Sequence, residues 1–360
     1  MSDHPIPLVL HPQRKPFRDR LSVIATPAVI VLLAFLIGGL VIWAIGADPI
    51  KAYNALLDSA FGSVNSLAET LVKACPLILA GLAISVAFRA QFWNVGVEGQ
   101  IYSGAILATI VGVYVKGLPA AIHIPLSLLS GVVGGVLAGI VPGILKAKLR
   151  VNEVISTLML NYIILDFTSY LVHGPLKDTA SNLPISPPLL QSSVLPVLIP
   201  HTRLHWGIPL AIAMAFLTYY LIHKTTLGFQ IQAVGENPRA AHVAGISIER
   251  TLVWTMMISG GLAGLAGAIE IMGVQNRLLE NFSPGYGFLG IAVALVAKLS
   301  PIGVIFSSII FAALLNGANT MQSIASVPIP VIYLIQGLVI IFASVGAIKI
   351  GFFRKKKVSE

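Results

Sequence analysis

The segment Ile122–Leu145, IHIPLSLLSGVVGGVLAGIVPGIL, runs for 24 residues without one Asp, Glu, Lys or Arg. As a helix it is about 36 Å long, enough to cross the roughly 30 Å hydrocarbon core of a bilayer. Lys146, Lys148 and Arg150 follow at once, a basic flank of the kind retained on the cytoplasmic side. Gly131, Gly135, Gly139 and Gly143 recur every four residues and so share one smooth face. Such a face lets another helix approach closely, either as a static contact or as a sliding surface. Pro142 predicts a kink near the end.

Nine further apolar segments accompany it: Leu21–Ile45, Leu71–Phe88, Ile101–Val115, Val154–Val172, Trp206–Ile222, Leu252–Gly273, Phe288–Leu299, Val304–Ala318 and Val331–Ile350. The expected fold is therefore all-α, a polytopic membrane protein of about ten transmembrane helices forming a single domain over 1–360. The third, eighth and ninth segments are short, which predicts tilted, broken or re-entrant helices. Leu21–Ile45 is too long for a signal-peptide core and reads as a retained span. Gly260, Gly264 and Ala268 repeat the small-residue stripe on the seventh segment.

Composition agrees. The 360 residues are 56% hydrophobic and 10% charged, with a mean hydropathy of +0.89. That excludes disorder and an ordinary soluble domain, where about 25% of residues are charged. Unbroken apolar runs disfavour a β-barrel. The net charge of +9 would suggest nucleic-acid binding in a soluble protein. Here it is an orientation signal. With the N-terminus inside, about 17 of the 23 Lys and Arg residues fall in cytoplasmic segments. The cytoplasmic segments then include a tail at 1–20, a loop at 223–251 and a basic tail at 351–360. A Pro-rich loop at 173–205 lies outside and, being apolar, is expected to lie on the bundle or the interface.

Four polar features stand out. Phe92-Trp93-Asn94-Val95-Gly96-Val97-Glu98-Gly99-Gln100 places two glycines around a carboxylate at the edge of a span. It is either a solvated turn or unwound backbone lining a cavity. Asn281–Phe288 is a second Gly/Pro-interrupted stretch in the opposite half. Paired breaks of this kind suggest an inverted repeat of two five-helix halves with a central pathway. On the fifth span Glu153, Thr157, Asn161 and Thr168 share one helical face, suited to a pore lining or to interhelical hydrogen bonds. Asp166 and Glu270 are further intramembrane carboxylates and pathway candidates.

The fourth feature is Gly235–Gly245 in the inner loop. Asn237 suits an N-cap, Pro238 the first turn and Gly245 the C-terminal turn of a short helix. A capped helix with small apolar residues fits docking into a partner's groove better than membrane anchoring. The P-loop pattern is absent, which argues against an ATP site in this chain. A lone cysteine, Cys75, and histidines without ligand spacing argue against a metal site; the eight histidines read as solvated.

The Phe92–Gln100 stretch resembles the signature of permease subunits of bacterial ABC importers for branched-chain amino acids, ribose and nucleosides. Its Asn-x-Gly-x-Glu-Gly-Gln core is similar to the nucleoside branch that works with basic-membrane-protein lipoproteins. Val151–Tyr162, Gly235–Ala241 and Ser283–Ala294 resemble the same branch. The resemblance implies a multi-pass inner-membrane subunit with both termini cytoplasmic and no enzymatic activity of its own. It implies cytoplasmic ATP-binding partners holding ATP and Mg, a second permease subunit and an extracytoplasmic binding lipoprotein. It maps ATPase coupling onto Glu236, Asn237, Pro238, Arg239, Ala240, Ala241 and Gly245. The pathway would draw on Trp93, Asn94, Glu98, Asn161 and Tyr286. Nucleosides are the expected substrate. A simple-sugar permease of the same family is the alternative, and an ion-coupled secondary transporter using Asp166 or Glu270 the more distant one.

Overall fold

The computed structural model describes residues 33–328, 330–338 and 341. The described residues form twelve named helices: α1 (Leu33–Ala44), α2 (Pro49–Phe61), α3 (Val64–Arg89), α4 (Val97–Tyr114), α5 (Ala120–Leu149), α6 (Glu153–His173), α7 (Gly207–Lys224), α8 (Thr226–Glu236), α9 (Pro238–Val243), α10 (Ile248–Glu270), α11 (Tyr286–Val296) and α12 (Pro301–Ala325). A further helix occupies 330–338. Among the described residues the chain is all-helical save two isolated β-bridges. Six helices, α3, α5, α6, α7, α10 with its extension to Gln275, and α12, are long and apolar enough to cross a membrane. α1 and α11 are shorter apolar helices. The chain is thus a multi-pass helical membrane protein. Residues 21–32 of the first expected span, much of the tenth, and both tails fall outside the described residues.

Two helices form the axis. α3 is 89% buried along its apolar window, whereas α6 is only 17% buried and peripheral. α3 packs on α10, α11 and α12, and α10 packs on α3, α4 and α5. The glycine stripe makes the α5–α10 contact: a Cβ on Gly135 would overlap the Gly260 carbonyl, and one on Gly264 the Gly131 carbonyl. Gly139 and Gly143 continue the contact along Met256. With apolar lipid as solvent, such backbone approach and its dispersion contacts supply the association energy.

Several helices exceed their sequence-based limits for a local reason. α3 begins at Val64 rather than Leu71 because Ser63 caps it, its hydroxyl accepting from Ser66 N–H at 3.0 Å. α12 runs 25 residues, past polar positions that break its hydropathy. Asn316 there is consumed internally: its Nδ2 donates to the Ser59 carbonyl at 2.9 Å and its Oδ1 accepts from Lys73 Nζ at 2.9 Å. α2 and α8 were not anticipated. Both have readable starts, Asp48 ahead of Pro49 and Thr225 ahead of Gly228, whose N–H donates to its hydroxyl.

The Pro-rich loop lies on the bundle as expected. Its backbone is tied to the residues after α10: Ser186 N–H donates to the Leu278 carbonyl, Leu189 N–H to Asn276 and Leu195 N–H to Met272, each at 2.9 Å. Two histidines are not solvated as expected. His123 is fully buried and bonds Ser192 Oγ at 2.8 Å, while His205 is 1% exposed. His123 lies under this loop and His205 at its inner end, packed against Gly273; the hydropathy pattern does not reveal the loop as a cover.

Candidate functional site

The two Gly-interrupted stretches meet. α3 ends at Arg89, the chain turns through Gln91 in the left-handed region, and 92–96 folds back to start α4 at Val97. After α10 the helix widens into a π-turn at Ile271–Gln275, and 276–285 returns to start α11 at Tyr286. Glu98 in the first turn of α4 and Gly287 in the first turn of α11 touch: Glu98 Oε2 accepts from Gly287 N–H at 2.6 Å. A Cβ on Gly287 would overlap the Glu98 backbone.

Helix α6 holds the first break in place. Asn161 Oδ1 accepts from Gly99 N–H at 2.8 Å and its Nδ2 donates to the Val95 carbonyl at 2.8 Å. Thr157 Oγ1 accepts from Val95 N–H at 3.2 Å. Asn94 is fully buried; its Nδ2 donates to Ser259 Oγ on α10 at 2.9 Å and to Gln100 Oε1 at 3.0 Å, and its Oδ1 accepts from Gly96 N–H at 3.0 Å. Ser259 in turn donates to the Ala83 carbonyl of α3 at 2.7 Å. The break is therefore unwound backbone whose polar groups are satisfied by side chains, the condition for irregular structure away from water.

The second break is built alike. Ser283 Oγ accepts from Tyr286 N–H at 3.1 Å and from Gly285 N–H at 3.3 Å. Ser283 N–H donates to Tyr102 Oη at 3.3 Å, and the Tyr102 and Phe282 rings lie 4.4 Å apart. Tyr286 is buried.

Four of the five expected pathway residues, Asn94, Glu98, Asn161 and Tyr286, thus gather around one junction. Trp93 stands apart, 48% exposed, with its ring 4.7 Å from that of Phe88. Glu153, Thr157, Asn161 and Thr168 all face inward; Thr157 bonds the break at Val95, and Asn161 makes an interhelical hydrogen bond to Gly99 of α4. Glu153 pairs with Lys146 at 2.6 Å at the α5–α6 turn. Asp166 is on the exposed face of α6 and away from the junction. Glu270 is buried at the start of the π-turn and accepts from Gln275 Nε2 at 3.1 Å. Ser259 and Tyr102 were not singled out beforehand, and Gln100 and Ser283 stood in quoted stretches without a role of their own. Ser259 sits beside the α10 glycine stripe, and nothing short of the three-dimensional contact with Asn94 marks it.

The inner loop forms the expected capped helix. Asn237 Oδ1 accepts from Arg239 N–H and Ala240 N–H, both at 3.1 Å, Pro238 opens α9, and Gly245 ends it with φ +83°. α8 precedes it and presses on the end of α3, where a Cβ on Gly235 would overlap the Arg89 carbonyl. The Arg89 side chain spans two elements: Nη1 donates to Gln232 Oε1 of α8 at 3.4 Å and Nη2 to the Leu299 carbonyl after α11 at 2.9 Å.

The family model for the branched-chain amino acid transport system permease component matches residues 66–344, which contain both breaks and α9. The chain belongs to this permease family. Among curated relatives, a guanosine ABC transporter permease protein of Bacillus subtilis is 37% identical over 94% of this chain and 98% of its own length. A nucleoside ABC transporter permease protein of Lactococcus lactis is 35% identical over 89% of this chain and 91% of its own. A glucose ABC transporter permease protein of Haloferax volcanii is 36% identical over 88% and 86%. As a permease component, this chain is a transport subunit of an ABC system, working with ATPase and substrate-binding partners, and not the ATPase itself.

Proposed function

We propose that this permease imports nucleosides. The observation that carries the reading is the near end-to-end match to permeases named for guanosine and for nucleosides. A second reading, a sugar permease, is favoured by the equally long match to a permease named for glucose. The two separate by titrating guanosine, adenosine, glucose and ribose into the substrate-binding protein that stimulates the complex. Nucleoside binding supports the first reading; glucose binding without nucleoside binding overturns it.

In this proposal the chain lies in the cytoplasmic membrane with ten spans and both termini inside. Two cytoplasmic ATP-binding subunits, a second permease and an extracytoplasmic binding lipoprotein complete the importer. ATP and Mg belong to the ATPase subunits and no cofactor to this chain. An inverted repeat relating α3 to α10, α4 to α11 and α5 to α12 is supported by the exchange of partners, since α3 packs on α11 and α12 as α10 packs on α4 and α5.

We assign ATPase docking to α9 with its flanks, Glu236–Ala241 and Gly245. Its motion reaches α3 through α8 and Arg89, and α10 through the Ile246 N–H bond to the Ala241 carbonyl. α3 leads directly into the Phe92–Gln100 break. The amide groups of Asn94 and Asn161 are engaged within the chain. They meet a base only in a state where the break separates from α6, and Tyr286 is uncovered with them. Trp93 already offers an aromatic face for stacking. The junction is then a gate whose closed form is the hydrogen-bonded one.

A further inference from the structure

An apolar groove of about 300 Å³ runs between α5, α7 and α10. Val132 and Val136 form one wall, Met214 and Leu217 the other, and half-exposed Trp254 lines one end. Its floor is Gly261, where a Cβ would meet Val132 and Val136 at 3.3 Å. The groove extends along α10 from Trp254 to Leu265, about 16 Å of helix rise. That equals one leaflet of a bilayer, about half of the 30 Å core.

Beyond the lining at the Trp254 end, the next turn of α7 and of α10 carries a basic residue. Lys224 lies three residues beyond Leu221 on α7, and Arg250 four residues before Trp254 on α10, so each continues the lining face by one turn. Both are exposed, and neither has an ion-pair partner among the described residues. Glu249 beside Arg250 lines a separate cavity with Lys146 and His242. Exposed Trp254 lines this end, and exposed Tyr219 and Tyr220 sit in the same turn of α7 as Leu221, the amphipathic rings expected at headgroup level.

We propose that this groove is a binding site for an anionic phospholipid, with an acyl chain against Gly261 and the headgroup phosphate between Lys224 and Arg250. The groove's length matches one leaflet, its lining matches an acyl chain, and a cation one turn beyond the lining on each of α7 and α10 selects the headgroup. The α5–α10 glycine contact lies directly behind it, so the lipid braces the tightest helix pair in the bundle. The site rests on the proposed orientation only in placing it in the cytoplasmic leaflet; its chemistry is independent of what is transported.

Trp254 reports occupancy directly. In the full-length chain with Trp43, Trp93 and Trp206 replaced by Phe, Trp254 fluorescence is read in phosphatidylcholine nanodiscs containing brominated lipid. Brominated phosphatidylglycerol is expected to quench at a mole fraction roughly tenfold below brominated phosphatidylethanolamine, since two basic groups act on the headgroup. The preference should vanish in Lys224→Gln/Arg250→Gln. Equal quenching by both headgroups overturns the proposal in favour of ordinary annular lipid. No quenching by either overturns it in favour of a protein, such as the second permease, covering the face. Should the three-Phe chain fail to fold, mass spectrometry of lipids retained by the wild-type chain decides: enrichment of phosphatidylglycerol over the surrounding membrane, lost in the double variant, supports the site, and no enrichment contradicts it.

Discussion

Glu98 and Gly287, 189 residues apart, share a 2.6 Å hydrogen bond that joins the first turn of α4 to the first turn of α11. This bond links the two Gly-interrupted breaks, one in each half of the chain. Removing the acceptor strands a buried backbone N–H, which costs about 1–3 kcal/mol. Glu98→Ala is expected to lower thermal stability in detergent by that order and to impair transport. Glu98→Gln keeps a carbonyl acceptor and should retain most of the stability. Equal loss in both variants would contradict the role given to this bond.

Asn161 bonds both an N–H and a carbonyl of the first break. Asn161→Ala therefore strands two backbone groups and is expected to destabilise by about 2–4 kcal/mol. Asn161→Gln keeps an amide donor and acceptor on a longer arm, so its cost should be smaller than that of Asn161→Ala. Chemical denaturation in mild detergent checks the order.

Arg89 ties α8 to the turn after α11. Arg89→Ala and the cap variant Asn237→Ala/Pro238→Ala are each expected to leave basal ATP hydrolysis by the assembled importer near wild type. Transport per ATP should fall severalfold. The cap contribution alone is about 1 kcal/mol, a local loosening of α9 rather than unfolding. Wild-type transport in the cap variant would show that α9 does not couple.

His205 supplies a pH dependence. Its Nδ1 accepts from Gly207 N–H at 3.1 Å, its Nε2 has no partner, and a Cβ at Gly273 would lie 2.7 Å from the ring. Burial first, and then the Arg203 charge, lower its pKa to about 4. The unfolded chain takes up the proton near pH 6.5, so folding stability is intact above that value and declines as pH falls towards 4. The loss amounts to about 3 kcal/mol across that window. Thermal midpoints between pH 7.5 and 4.5 should drop, and less steeply in His205→Gln.

Much of the fold was legible because a bilayer solvent imposes long apolar runs, and the glycine stripe named its own contact. Asn237, Pro238 and Gly245 wrote the α9 helix in capping chemistry, which is local. The limits of α3 and α12 were not legible, since α3 starts at the Ser63 cap among polar residues and α12 continues past Ala318 through Asn319, Thr320, Gln322 and Ser323. The junction was half visible. Both breaks carry Gly and Pro signals, but that Glu98 faces Gly287, and that Asn94 reaches Ser259, depends on contacts 165 residues or more apart. In the proposed gate, their engagement recasts Asn94 and Asn161 from open ligands into latches that release first.

The most direct test of the account is uptake into membrane vesicles carrying the complete importer, with labelled guanosine and labelled glucose supplied separately. The account predicts guanosine uptake that requires both ATP and the binding protein and persists when an uncoupler collapses the proton gradient. Glucose uptake without guanosine uptake, or guanosine uptake abolished by the uncoupler alone, would contradict it.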